Sequence, residues 1–215
     1  MKNELLKRIL TSLLLIPVVF FFILKGSFFF VFFLSILFFI SSIEWIKMNK
    51  KIELKFFGIL FLFFSFYSSY FLFDNSLINF LFILIICIST DVGGYIFGNL
   101  LKGPKLTKIS PNKTYSGMLG SFLLSIISGY LFILNFDPGF IKNQNSDLYN
   151  LLLIIIILII STVSQIGDLI ISFYKRKSKI KNTGKIFPGH GGLLDRVDGM
   201  IFVFPFIYTL DLLNL

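Results

Sequence analysis

Between Leu151 and Ile160 the chain runs through ten consecutive leucines and isoleucines without one polar side chain. Such a run carries neither the alternation of a half-buried strand nor the stripe of an amphipathic helix, so it has no face to offer water. Apolar stretches near the length that crosses a bilayer, about 20 residues, recur along the chain. They cover Ile9–Leu24, Ser27–Ile43, Phe56–Phe73, Leu77–Phe97, Met118–Phe136, Leu151–Phe173 and Met200–Leu215. The composition agrees: 56% of the 215 residues are hydrophobic and 14% charged, where a soluble domain carries about 25% charged residues. The expected fold is an all-α, polytopic transmembrane helical bundle of about seven spans. It forms a single integral-membrane domain over residues 1–215. The last span is the shortest and is interrupted by Pro205 and Asp211. The first follows Lys2, Lys7 and Arg8 in the manner of a signal peptide. Its apolar run continues through Phe20–Phe22 with no small-residue cleavage site, so it reads as a retained helix.

The net charge of +9 comes from 20 Lys and Arg against 11 Asp and Glu. In a soluble chain this balance would suggest nucleic acid. In a membrane chain Lys and Arg gather on the cytoplasmic loops. Laid between the seven spans, 18 of the 20 basic residues fall on one side, and Lys25 and Lys142 alone fall on the other. The N-terminus is therefore expected in the cytoplasm, and no nucleic-acid partner is expected. The single Cys87 excludes an intrachain disulfide and a multi-cysteine metal site.

Two acids interrupt apolar spans, Asp91 near the end of the fourth and Asp168 near the end of the sixth. An Asp at a helix centre costs about 2.5–3.5 kcal/mol on insertion, so such residues face a polar interior and mark function. In the topology above, both lie in the cytoplasmic half of the bilayer. Around Asp168, the residues Ser164, Ser172 and Lys175 share one helix face by spacing, with Gln165 beside it. The loop that follows holds six Lys and Arg, then Pro188-Gly189-His190-Gly191-Gly192 and Asp195, Arg196 and Asp198. Glycines let backbone N–H groups approach a phosphate closely. Carboxylates supply hard oxygens for Mg²⁺, which binds one or two of them together with substrate phosphates. The loop thus reads as a site for a metal and a polyphosphate. The loop from Gly98 to Gly117, with Lys102, Lys105, Lys108 and Lys113, has the same chemistry in weaker form.

These residues carry a resemblance. The stretch Ser172-Phe-Tyr-Lys175-Arg176, then Lys181-Asn182, then Phe187-Pro-Gly-His190-Gly-Gly-Leu-Leu-Asp195-Arg196-Val-Asp198 resembles the signature of the phosphatidate cytidylyltransferases, or CDP-diglyceride synthases. Ser164-Gln165-Ile-Gly-Asp168 is similar to that family's Ser-Gln-Leu-Gly-Asp element, and Ser110-Pro-Asn-Lys113-Thr114 to its Ser-Pro-x-Lys-Thr element. The signature region spans residues 164–199. The chain departs from the family at Asn182, where an Asp is usual, and at Ser116, where a Glu is common. Many members are also longer.

The resemblance implies transfer of the cytidylyl group of CTP to phosphatidate, giving CDP-diacylglycerol and pyrophosphate, at the cytoplasmic side of a bacterial inner membrane. It implies Mg²⁺, with room for a second cation, held by Asp168, Asp195 and Asp198. Lys175, Arg176 and Arg196 are assigned to phosphate binding. Ser110, Lys113 and Thr114 are placed on either the lipid or the nucleotide phosphates. Gln165, Ser172, Lys181, Gly189, Gly191, Gly192 and Asp91 complete the substrate surroundings. His190 either donates to a phosphate or caps its glycine turn. Homodimer formation is left open. The competing readings are a CTP-dependent polyprenol or lipid kinase and a non-enzymatic transporter or scaffold.

Overall fold

The computed structural model describes residues 17–136, 147–184, 186 and 191–213. Its long helices are α1 (Ser27–Met48), α2 (Ile52–Asn75), α3 (Leu77–Leu101), α4 (Tyr115–Asn135) and α5 (Asp147–Lys177). A short α6 (Leu194–Val197) and then α7 (Met200–Leu212) follow. Residues 17–25 are helical as well and join α1 at Gly26, whose φ of 88° lies in the region open to glycine. All five long helices are long and apolar enough to cross a membrane. The expected span beginning at Ile9 lies in part outside the described residues. The expected span from Met200 is a helix of 13 residues with Pro205 inside it. At 1.5 Å per residue it reaches about 20 Å, short of the roughly 30 Å hydrocarbon core.

Several of the long helices run past the ends of their apolar stretches. The clearest case is α5, whose 31 residues make a rod of about 46 Å. Its last turn is Lys175, Arg176 and Lys177, cations that suit the negative end of a helix dipole. Capping fixes other ends. Ser76 accepts from the N–H of Asn79 at the start of α3, and Thr114 accepts from the N–H of Gly117 at the start of α4.

The chain divides into two compact units, one of Met1–Tyr70 with Tyr174–Asp198, the other of Phe71–Phe173 with Gly199–Leu215. In the first, the Trp45 indole donates to the Leu54 carbonyl at 2.8 Å and meets the Tyr174 ring edge-on at 5.0 Å. Its indole occupies the space that a side chain at Gly58 would need. In the second, α3 and α4 pack backbone against backbone: a Cβ on Gly93 would lie 2.5 Å from the Gly120 carbonyl oxygen, and one on Gly117 2.8 Å from that of Gly94. Small residues permit this approach where no hydrophobic force drives helices together. Ser121 donates to the Thr90 carbonyl at 2.6 Å, and the Thr90 hydroxyl reaches Ser161 on α5 at 2.9 Å. In the same unit α7 packs on α3 by stacking Phe204 on Phe80 at 5.4 Å.

Candidate active site

Each unit gathers one cluster of the residues singled out in the sequence. In the second unit the turn between α3 and α4 is built around a left-handed Lys102 and an antiparallel bridge of Lys105 with Thr114. Leu106 N–H donates to the Lys113 carbonyl at 2.8 Å, and Lys113 N–H to the Ser110 carbonyl at 3.0 Å. With its backbone held, Lys113 extends its ammonium to Asp168 at 2.6 Å and to the Gln165 carbonyl at 3.4 Å. Ser172, one turn along α5, donates to the other Asp168 oxygen at 3.2 Å. The Lys113 and Asp168 side chains remain 23% and 28% exposed, so a ligand can reach the pair. Ser110 contributes its backbone to the turn, and the Thr114 hydroxyl caps α4 at 3.1 Å. Asp91 lies on the exposed side of α3, next to Val92.

In the first unit the signature loop folds around Asp195. One carboxylate oxygen accepts from the Lys175 ammonium at 2.9 Å, the other from the N–H groups of Thr183 at 2.9 Å and Gly192 at 3.0 Å. Lys175 also stands 3.8 Å from Asp198, so two carboxylates share its charge. This pair is the more enclosed, with Lys175 and Asp195 only 10% and 8% exposed. The loop leaves α5 through a left-handed Lys179, where the Arg176 guanidinium donates to the Ile180 carbonyl at 3.3 Å. Arg176, Lys181 and Arg196 are exposed. His190 and Gly189 lie outside the described residues.

The glycines have a local reason. Gly191 has φ of 91°, and its missing Cβ leaves room for Asp195 Oδ2 and for the Asn182 side chain. A Cβ on Gly192 would collide with the Thr183 hydroxyl and come within 2.5 and 2.6 Å of the Glu44 oxygens. The Gly192 N–H, expected to face a phosphate, donates to Asp195 in this structure.

Glu44 is the residue that sequence reasoning missed. It sits on α1, 3% exposed, and accepts from the Thr183 hydroxyl at 2.7 Å and from the N–H groups of Leu193 at 3.0 Å and Leu194 at 2.9 Å. An acid at the edge of an apolar run was the available signal. Its neighbours Trp45 and Lys47 give it the look of an ordinary interfacial charge.

The donor set suits a hard cation in kind. Among the described residues no group of three or more His, Cys, Asp or Glu side chains is arranged to hold a metal ion. A cation that takes one or two carboxylates and draws its other ligands from substrate phosphates and water fits this arrangement, and Mg²⁺ is such a cation.

Residues 54–213 match the model of the cytidylyltransferase family. The chain belongs to that family. Every candidate residue named above from the sequence lies within the matched stretch, whereas Glu44 lies before it. Among curated relatives, the phosphatidate cytidylyltransferase of Staphylococcus haemolyticus is 43% identical over 122 residues, which cover 56% of this chain and 44% of that protein. That of Bacillus subtilis is 39% identical over 123 residues, covering 57% and 43%. That of Rickettsia bellii is 38% identical over 144 residues, covering 66% and 62%. The chain spans about half the length of the curated relatives it matches.

Proposed function

We propose that this cytidylyltransferase-family chain transfers the cytidylyl group of CTP to phosphatidate, forming CDP-diacylglycerol and pyrophosphate. The observation that carries the proposal is the Lys175 ammonium shared by Asp195 and Asp198 inside the signature loop. The cationic Lys113–Asp168 turn supports it. An oxygen of the lipid phosphate attacks the α-phosphorus of CTP, and the bond to the oxygen that bridges the α- and β-phosphorus breaks. Pyrophosphate leaves with the electron pair. The lipid phosphate is ionised at neutral pH, so the step asks mainly for positioning and charge neutralisation.

Asp195 and Asp198 would hold Mg²⁺, and Asp168 is the third carboxylate assigned to cation binding. The ion, when bound, supplies positive charge to the phosphates and the leaving pyrophosphate. Lys175, Arg176 and Arg196 bind phosphate oxygens, the arginines by their planar forks and the lysine as a point charge. Lys113 presents a further cation. The basic bias of the loops supports a site on the cytoplasmic face of a bacterial inner membrane, where CTP is dissolved and the lipid headgroup is exposed.

The test is the purified chain in lipid nanodiscs with Mg²⁺, phosphatidate and CTP labelled at the α-phosphorus. Label entering the lipid with release of pyrophosphate is the expected result. Label left in soluble CDP would replace transfer by a kinase activity. CTP left intact by folded protein would overturn both.

A further inference from the structure

We infer that Glu44 is a positioning residue: from α1 it grips the signature loop behind Asp195 and thereby fixes where Lys175, Asp195 and Asp198 stand. The inference rests, for its kinetic part, on the cytidylyl-transfer reading above.

A carboxylate inside a protein is retained when its lone pairs are filled. Those of Glu44 are filled from one segment, by the Thr183 hydroxyl and the amides of Leu193 and Leu194. Among the described residues no ammonium or guanidinium pairs with it. Asp195 takes the amides of Thr183 and Gly192. Thr183 is thus bound twice, its N–H by Asp195 and its hydroxyl by Glu44. Gly192 has no space for a side chain between Thr183 and the Glu44 carboxylate, and a Cβ on Gly184 would likewise run into Glu44. Two carboxylates together hold Thr183 and the amides of Gly192, Leu193 and Leu194, and α6, which begins at Leu194, carries Asp195 on its first turn. Glu44 fixes the amide of the residue immediately before Asp195. At 3% exposure it does not itself meet a substrate.

The geometry makes Glu44→Gln a sharp perturbation. Leu193 donates to one carboxylate oxygen, while Leu194 and Thr183 donate to the other. The Thr183 hydroxyl can turn and accept from an NH₂ group, but a backbone N–H cannot. Whichever way the glutamine amide is turned, one of the two leucine amides faces a donor.

The experiment compares the full chain in nanodiscs with Glu44→Gln and Thr183→Val, by hydrogen exchange of the loop amides and by steady-state kinetics with CTP. For Glu44→Gln, exchange at Leu193 or Leu194 rises at least tenfold while the α3–α4 amides keep their rates. kcat falls about 100-fold, the size of effect a displacement of about 1 Å produces, and KM for CTP stays within threefold. Thr183→Val, which leaves both leucine amides held, lowers kcat less than tenfold. Unchanged exchange at both leucines overturns the inference, as does a kcat loss no larger than the loss of folded protein. If Glu44→Gln does not fold, Glu44→Asp decides, because it keeps the charge but draws it back from the Leu193 and Leu194 amides by one methylene: normal kcat and normal exchange at both leucines would overturn it. If the wild-type chain makes no CDP-lipid, the functional proposal fails, and the exchange comparison still decides the role of Glu44.

Discussion

Replacing Lys175 by Met keeps the length of its stem and removes the charge that Asp195 and Asp198 share. Lys175 and Asp195 are 2.9 Å apart and almost wholly enclosed, so water screens the pair weakly. Breaking one partner of a buried pair costs about 3–5 kcal/mol, because the other charge is left uncompensated. Lys175→Met removes a charge that faces two carboxylates and belongs at the upper end, about 4–5 kcal/mol. Asp195→Asn belongs at the lower end, about 3 kcal/mol, because Asp198 still stands 3.8 Å from the ammonium. In the double variant both charges are gone, and the asparagine carbonyl can still accept from Thr183 and Gly192. Its cost should fall short of the sum of the single variants by at least about 2 kcal/mol, within the range of coupling for contacting residues. Trp45, the single tryptophan of the chain, lies 5.0 Å from the Tyr174 ring in the same unit. Its fluorescence during denaturant titration in mixed micelles therefore reads the unit in question. Additive costs, within about 0.5 kcal/mol, would refute the claim that this contact holds the loop.

Other substitutions test separate contacts. Gly192→Ala drives a methyl into the Thr183 hydroxyl and the Glu44 carboxylate. It should destabilise the first unit by about 1–3 kcal/mol, as overpacking does, seen by the same Trp45 titration. Gly93→Ala should force α3 from α4 at a similar cost of about 1–3 kcal/mol, because the obstacle is the Gly120 carbonyl and not a movable side chain. A lowered unfolding midpoint by helical circular dichroism is the expected reading. Thr114→Ala removes the cap of α4 and should cost about 1 kcal/mol, measured in that assay. Chelation of divalent cations should abolish CDP-lipid formation, and added Mg²⁺ should restore it.

The long helices were legible because a bilayer forces each span to declare itself in hydropathy. Their ends were less so: α5 continues through Lys175–Lys177, since a helix need not stop where lipid does. Neighbouring hydroxyls show a similar limit. Ser161 is buried against Thr90 on another helix, while Thr162 is exposed and turns back to the Leu158 carbonyl at 2.7 Å. Both are small polar residues in one apolar run, and only packing separates them. Asp168, Lys175, Asp195 and Asp198 were legible as chemistry, but the pairing of Lys113 with Asp168 across 55 positions was not. Glu44 was hidden for a deeper reason. Two of its three partners are backbone amides, which every residue but proline possesses, so no side-chain pattern announces them.

The glycine contact between α3 and α4 bears on how the protein meets membranes of different composition. Helices that touch only through interdigitated side chains can slide as rotamers change, but Gly93 meets the Gly120 backbone and Gly117 that of Gly94, and a backbone has no rotamer to exchange. Thicker or thinner bilayers are accommodated by tilt, and these two helices should tilt as one rigid plank. The turn that joins them would be carried along without bending, so the cation on Lys113 would keep its place when the acyl chains around it change in length.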